Sequence, residues 1–347
     1  MRIGARMLGL IGLVAAGCLY PGLLQARVIT DSAGRTVTVP DRVARVFPAG
    51  PPASTLVYML APQTLIGWSR KPTEAEKQYM LPAVRDLPEA GRLTGRGDTI
   101  NLEKLLVDRP DVIVDFGTLN DTYRSLADRI QQQSGIPYVL IDARFANTPA
   151  ALRLMGDILG VKERGETLAA AAEALFAQVD ATVKAAPADR RPRVYLARGP
   201  EGLETGTRGS INTEIIERLG AVNVVEGLRE AGGLITASPE QIIAWSPDTI
   251  VTIDRAFMRS LSQKPLWQAV PAVARKRVFL APAWPFGAID SPPSVNRLLG
   301  LVWLGHVFYN QPAEAGLGEQ VKNFFRLFYH VDLSGPELAK LLDQSGN

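Results

Sequence analysis

The side chains that could do chemistry in this chain stand at the ends of apolar runs and not inside any catalytic signature. Val43 to Phe47 runs into Pro48-Ala-Gly-Pro-Pro52, and Thr64 to Trp68 is a second such run. Val112-Ile-Val114 continues as Asp115-Phe-Gly-Thr118, and Ile136 to Ile141 ends at Asp142-Ala-Arg144. Runs of this kind suit strands buried on both faces, and open α/β sheets bind ligands outside the carboxyl ends of their strands. That placement makes Gly50, Trp68, Gly117, Thr118 and Arg144 rim candidates, with Asp142 as the alternative partner of Arg144. Further on, Glu204-Thr-Gly-Thr-Arg-Gly-Ser210 is a polar, glycine-rich loop. Thr205, Thr207, Arg208 and Ser210 can donate hydrogen bonds to an anion there, Arg208 most strongly. A run from Val278 then delivers Trp284 and Phe286 to a loop punctuated by Pro282, Pro285 and Gly287, where large rings can wall a cleft.

Enzyme signatures are missing from the sequence. It has no Gly-x-Ser-x-Gly elbow, His-Glu-x-x-His pair, Walker loop or Rossmann glycine fingerprint. Gly91 to Asp98 is glycine-rich, but it lacks the Gly-Lys-Ser/Thr ending and an apolar strand leading in, so it reads as an irregular loop. Two histidines, His306 and His330, and the single Cys18 are a poor basis for a nitrogen- or sulfur-rich zinc, copper or manganese site. No metal site is expected. Iron would arrive already wrapped in an organic chelator, and an oxyanion such as molybdate would suit arginines and backbone N–H groups.

The elements that must position these residues follow a plan stated twice. Asn101-Leu-Glu-Lys-Leu-Leu-Val-Asp-Arg-Pro-Asp-Val-Ile-Val114 and Ser238-Pro-Glu-Gln-Ile-Ile-Ala-Trp-Ser-Pro-Asp-Thr-Ile-Val251 agree in pattern throughout. Asn101 or Ser238 can cap a helix, and Glu103 or Glu240 suits the positive end of its dipole. Proline stops the helix, and a β-branched strand follows. Two such units predict two lobes on one plan.

A length of 347 residues fits two α/β lobes, and 46% hydrophobic with 21% charged residues describes a folded globular chain. The net charge of +3 is small and no arginine-rich block occurs, which argues against nucleic acid as a partner. Residues 1–26 read as an export signal: Arg2 and Arg6, an uncharged run from Met7 to Tyr20, the break at Pro21-Gly22, and Ala26 at the cleavage position. The run is shorter than the ~20 residues of a membrane span. Ala15-Ala-Gly-Cys18 approximates a lipoprotein box, so lipid anchoring through Cys18 is the alternative. Residues 27–40 read as a hairpin around Ser32-Ala-Gly34, and a helix covering Leu56 to Leu60 starts at Ser54 or Thr55. After a break over residues 160–165, Glu166 to Ala186 is alanine-rich and reads as one helix of roughly 30 Å at ~1.5 Å per residue.

The exported hairpin, the strand–loop–helix of residues 43–60 and the Asn-Leu-Glu…Pro-Asp-Val-Ile-Val unit resemble the periplasmic binding proteins of ferric-siderophore, haem and cobalamin ABC importers. The resemblance covers about residues 27–310. It implies an α/β fold of two lobes, each with a central, mostly parallel sheet flanked by helices, joined by one long rigid helix. The corresponding division is a signal peptide over 1–26, an N-terminal lobe over 27–147, linker helices over 148–187, a C-terminal lobe over 188–312 and a helical tail over 313–347. It also implies that the loop over 204–210 and the rings of Trp284 and Phe286 face the cleft. Glu103 and Glu240 would dock into arginine pockets on the permease dimer of the inner membrane. The expected function is capture of a metal chelate, first a ferric siderophore, and delivery to an ABC importer by a periplasmic monomer that uses no cofactor. Cobalamin, haem or an oxyanion such as molybdate are the alternatives for the same fold, with an exported enzyme of unassigned chemistry behind them.

Overall fold

The computed structural model describes residues 25–95, 102–225, 233–309 and 316–346. The hairpin pairs β1 (Ala26–Thr30) with β2 (Thr36–Pro40), antiparallel, and turns on Gly34 at φ 75°. Asp31 organises that turn, because its carboxylate accepts from the N–H groups of Ala33 and Arg35. The other carboxylate oxygen accepts from the N–H of Leu140, which seats the hairpin on the first sheet.

That sheet is parallel, in the order β3 (Val46–Pro48), β4 (Val112–Gly117), β5 (Tyr138–Asp142). Its strands are buried on both faces, as their unbroken apolar runs require. The helix Pro51–Leu60 begins earlier than its apolar pattern suggests. Gly50 is the N-cap and the prolines occupy the first turn, where a missing N–H costs nothing. Thr64 to Trp68 is not a strand. Pro62–Thr64 forms a 3₁₀ turn, and only Leu65 and Trp68 make isolated bridges.

Two packed helices, Thr148–Ile158 and Lys162–Ala185, join the halves. The second is 24 residues long and continues through Arg164-Gly165, where the sequence suggested a break. Gly165 stays helical because it faces Gly156 at very close range. A Cβ on Gly165 would lie 2.8 Å from the Leu152 carbonyl oxygen and 3.0 Å from the Gly156 Cα. Packing outweighs the ~1 kcal/mol that a helical glycine loses to alanine.

The second sheet uses β6 (Arg193–Ala197), β8 (Val222–Asn223), β10 (Thr249–Thr252) and β11 (Val278–Leu280). All pairings are parallel, in the order β11–β10–β6–β8. A separate antiparallel pair, β7 (Glu204–Gly206) with β9 (Leu234–Thr236), stands where the sequence read an open polar loop.

The repeated unit has the same mechanics in both lobes. Ser238 caps Pro239–Trp245 in a reciprocal capping box with Gln241. Asn101 lies outside the described residues, and its helix runs Leu102–Asp108. The residue before each proline is left-handed, Arg109 at φ 43° and Ser246 at φ 49°. Each following aspartate registers the neighbouring strand. Asp111 accepts from the N–H groups of Ala44 and Arg45, and Asp248 from the N–H of Arg193. Arg45 and Arg193 return bonds to helix-end carbonyls at Asp108 and Trp245.

The tail binds both lobes. Tyr58 Oη donates to the Tyr329 carbonyl at 2.6 Å, and Tyr79 Oη to that of Glu337 at 3.2 Å. The Gln344 amide exchanges two 2.9 Å bonds with the backbone of Leu280 in β11.

Candidate ligand-binding cleft

A cavity of about 580 Å³ opens between the carboxyl ends of the two sheets. From the first lobe come Pro51 and Pro52 at a helix start, Arg70, Arg92, Thr94 and the end of β4 from Asp115 to Thr118. Arg198, just past β6, faces them with Ile211, Asn212, Leu234 and residues 290–293. Its size falls within the ~300–1,000 Å³ of small-molecule sites.

Three of the charged lining groups, Arg198, Asp290 and Arg70, are held in ion pairs. Arg198 pairs with Asp290, Nε to Oδ2 at 2.7 Å, and with Glu204. Asp290 is fully buried and also accepts from Asn212 Nδ2 at 2.8 Å. Arg70 makes two bonds to Glu76. Burial pushes the Glu76 carboxyl up, but the bonds from Arg70 and Thr73 outweigh it and leave it below the ordinary value. A guanidinium carries five donors, so one carboxylate does not exhaust it.

Asp115 differs. Its Oδ1 lies 3.2 Å from Thr94 Oγ1 and its Oδ2 3.2 Å from Tyr138 Oη. Both partners are uncharged hydroxyls. Burial pushes its carboxyl up to about 6, against the pull of those two bonds. Burial also holds the Tyr138 phenol well above its usual value, so it stays a donor.

Arg297 links the two lobes from outside the cavity lining. It is fully buried and donates to the carbonyls of Ala143 at 2.6 Å and Ile211 at 2.8 Å, and to Glu214. Glu214 in turn accepts from the Phe145 N–H.

Of the rim residues expected from sequence, the structure brings Gly117 and Thr118 into the cleft lining. Gly50 stands one residue behind it. A Cβ there would meet Thr94 Oγ1 at 2.9 Å, so glycine lets the loop carrying Thr94 close over the helix start. Trp68 is 2% exposed, with its indole N–H on the Val84 carbonyl, and packs with Tyr58 and Phe286. Trp68 and Phe286 line a side pocket of about 20 Å³ and are not in the lining of the large cavity. Trp284 stacks on Tyr79 at 5.8 Å, with the Arg255 guanidinium 4.2 Å from its ring. These rings serve the packing between lobes and tail and do not wall the cleft. Arg144 is held by Asp142 outside the lining, where the two sit two residues apart on one strand end. Thr205 is fully buried in β7, and Arg208 is exposed beyond it, so neither lines the cleft. Glu103 and Glu240 are both exposed in the first turns of their helices.

Sequence reasoning missed Arg70, Arg92, Arg198, Asn212 and Asp115 as lining groups. One available signal was a carboxylate at the end of an otherwise apolar strand, as at Asp115. Another was an arginine directly after one, as at Arg198. Among the described residues no three His, Cys, Asp or Glu side chains are grouped as a metal site, and no helix is long and apolar enough to cross a membrane.

Known proteins share this architecture. The chain is 26% identical over 364 aligned positions to the molybdate-binding protein MolA of Haemophilus influenzae, covering 93% of this chain and 97% of that one. An ABC transporter solute-binding protein from Sulfurospirillum deleyianum superposes with a TM-score of 0.81 at 28% identity, covering 91% and 98% of the two chains. MolA bound to molybdate superposes with a TM-score of 0.70 at 23% identity, covering 89% and 99%. The sequence model of the periplasmic binding protein family matches residues 54–284, well over half of the chain. The chain therefore belongs to the periplasmic binding proteins, the substrate-binding components of ABC importers.

Proposed function

We propose that this protein captures a small oxyanion of the molybdate class in the cleft and delivers it to its importer. One observation carries the reading: three arginines, Arg70, Arg92 and Arg198, line a single cavity from both lobes. Arginine is suited to planar, bidentate recognition of oxyanions. The start of the helix Pro51–Leu60 opens on the same space and adds the positive end of its dipole. Likeness to a molybdate-binding protein along nearly the whole of both chains supports the same class.

An anionic metal chelate such as a ferric siderophore is the second reading, and the volume favours it. A cavity of about 580 Å³ exceeds what a bare oxyanion fills. Against it, Trp68, Trp284 and Phe286 are committed to packing, so the apolar wall expected for a bulky organic ligand is not built from them. Isothermal titration calorimetry with molybdate, tungstate, sulfate, a ferric catecholate, a ferric hydroxamate, haem and cobalamin separates the readings. Molybdate or tungstate is expected to bind at micromolar or tighter Kd. Saturation by a chelate with no heat from any oxyanion would reverse the order.

The rest of the reading concerns delivery. Residues 1–26 export the chain to the periplasm, with lipid anchoring through Cys18 as the alternative. Glu103 and Glu240 contact the two permease subunits, and the carrier works as a monomer without a cofactor.

A further inference from the structure

The two carboxylates among the described lining residues of the cleft are held differently. Asp290 has a guanidinium partner in Arg198. Asp115, 6% exposed and lining the same cavity, has among the described residues the hydroxyls of Thr94 and Tyr138 as its partners and no cation. The Thr94 hydroxyl has a single proton, and two acceptors compete for it: Asp115 Oδ1 at 3.2 Å and the Ala49 carbonyl at 3.3 Å. The Ala49 carbonyl already accepts from the N–H groups of Leu93 and Thr94, so the Thr94 proton can serve an ionised Asp115. A neutral Asp115 can instead donate to Thr94 and leave Thr94 to donate to Ala49. The two hydroxyls therefore accommodate both forms, and among the described residues no cation pairs with the charged one.

We propose that Asp115 is the specificity-determining residue of the cleft: ionised, it disfavours fully deprotonated dianions, and neutral, it admits them. The inference rests on the oxyanion reading of the site. A negative charge on the cleft wall opposes a dianion held by the arginines, through a buried medium that screens weakly. Proton uptake at Asp115 removes that opposition, so anion binding is linked to protonation. The effect would fall in the range where the buried carboxyl titrates, near 6.

Several other charged or titratable groups stand around Asp115. Tyr138 on β5 is held protonated, with Arg35 and Tyr123 near its phenol. Arg92 follows from the loop carrying Thr94, and Arg70, Arg198 and Asp290 from around the cavity. No histidine lies among the described lining residues.

The test is calorimetry with molybdate and tungstate from about pH 8 to about pH 5 on the full protein and on Asp115→Asn. The wild type is expected to bind about tenfold more tightly at the acid end, as a proton linked to binding requires. Asp115→Asn should bind tightly at every pH, without the slope. Tyr138→Phe, which removes a donor to the carboxylate, should move the wild-type midpoint to higher pH. A pH-independent wild type, an Asp115→Asn slope equal to the wild-type one, or an unmoved midpoint in Tyr138→Phe would each overturn the proposal while leaving the oxyanion reading intact. Failure of either oxyanion to bind at any pH would sink the oxyanion reading, and this inference with it.

Discussion

Asp115 is costly where it stands. Raising its carboxyl from 3.8 to about 6 withholds on the order of 3 kcal/mol from the fold at neutral pH. Because the folded value lies above the unfolded one, its stability contribution is complete below 3.8 and is lost as pH rises through about 6. Asparagine keeps the shape and both hydrogen-bonding ends without the charge. Asp115→Asn should therefore melt several degrees higher than wild type at about pH 8, and the gain should vanish near pH 4. Thermal denaturation by circular dichroism across that range checks this, and a gain that persists at acid pH would assign the effect to packing. A fold that carries such a group beside a binding cleft fits the pattern in which strongly shifted groups gather at functional sites.

At the scale of elements, the helix pair that links the lobes depends on the absence of side chains. Gly156 and Gly165 let Thr148–Ile158 and Lys162–Ala185 approach so closely that either Cβ would lie within 3 Å of the opposing backbone. On an open helix, Gly165→Ala would stabilise by ~1 kcal/mol. Here the neighbour is backbone and cannot rotate away, so the same change should destabilise by about 1–3 kcal/mol. Urea unfolding measures this directly, and a variant as stable as wild type would show that the helices separate at little cost. The repeated units make a related point about strands. Asp111 and Asp248 hold the start of the neighbouring strand by its N–H groups, which fixes the register of each sheet and hence which residues reach its carboxyl end.

Two parallel sheets face one cavity, and the lobes are tied together by the buried Arg297 and by the tail. The lobes are thus held together by contacts outside the cleft lining. Delivery then depends on an outer surface. Glu103 and Glu240 stand exposed at equivalent positions of the two lobes, and neither lines the cleft. Replacing both by arginine should leave ligand Kd unchanged and strongly reduce uptake into proteoliposomes carrying the cognate importer. Normal uptake at matched protein levels would reduce these residues to helix-start acids, worth ~0.3–1 kcal/mol each to their own helices.

Much of this architecture follows from local pattern. The β-branched runs at Val112 and Thr249, each preceded by a short helix and Pro-Asp, specify parallel strands whatever their partners. The alanine-rich stretch after Glu166 likewise specifies a helix, since propensity and period act within a few residues. Gly117 and Thr118 were legible as cleft residues because they sit at a strand's carboxyl end. Beyond that point sequence stops discriminating. A strand buried on both faces gives no alternation to show which side chain faces a cavity, so the carboxylate of Asp115 stood out in its apolar run without showing that it reached the cleft. Trp284 and Phe286 had the setting of cleft rings, but the tail supplied Tyr329 and Lys340, and Tyr79 a stacking face, far away in the chain. Arg144 and Arg198 are both arginines just past a strand. Arg144 turns back onto its own strand's Asp142, while Arg198 faces Asp290 at the cavity. Only the packing of the two lobes, which sets their distant partners, decided between those outcomes.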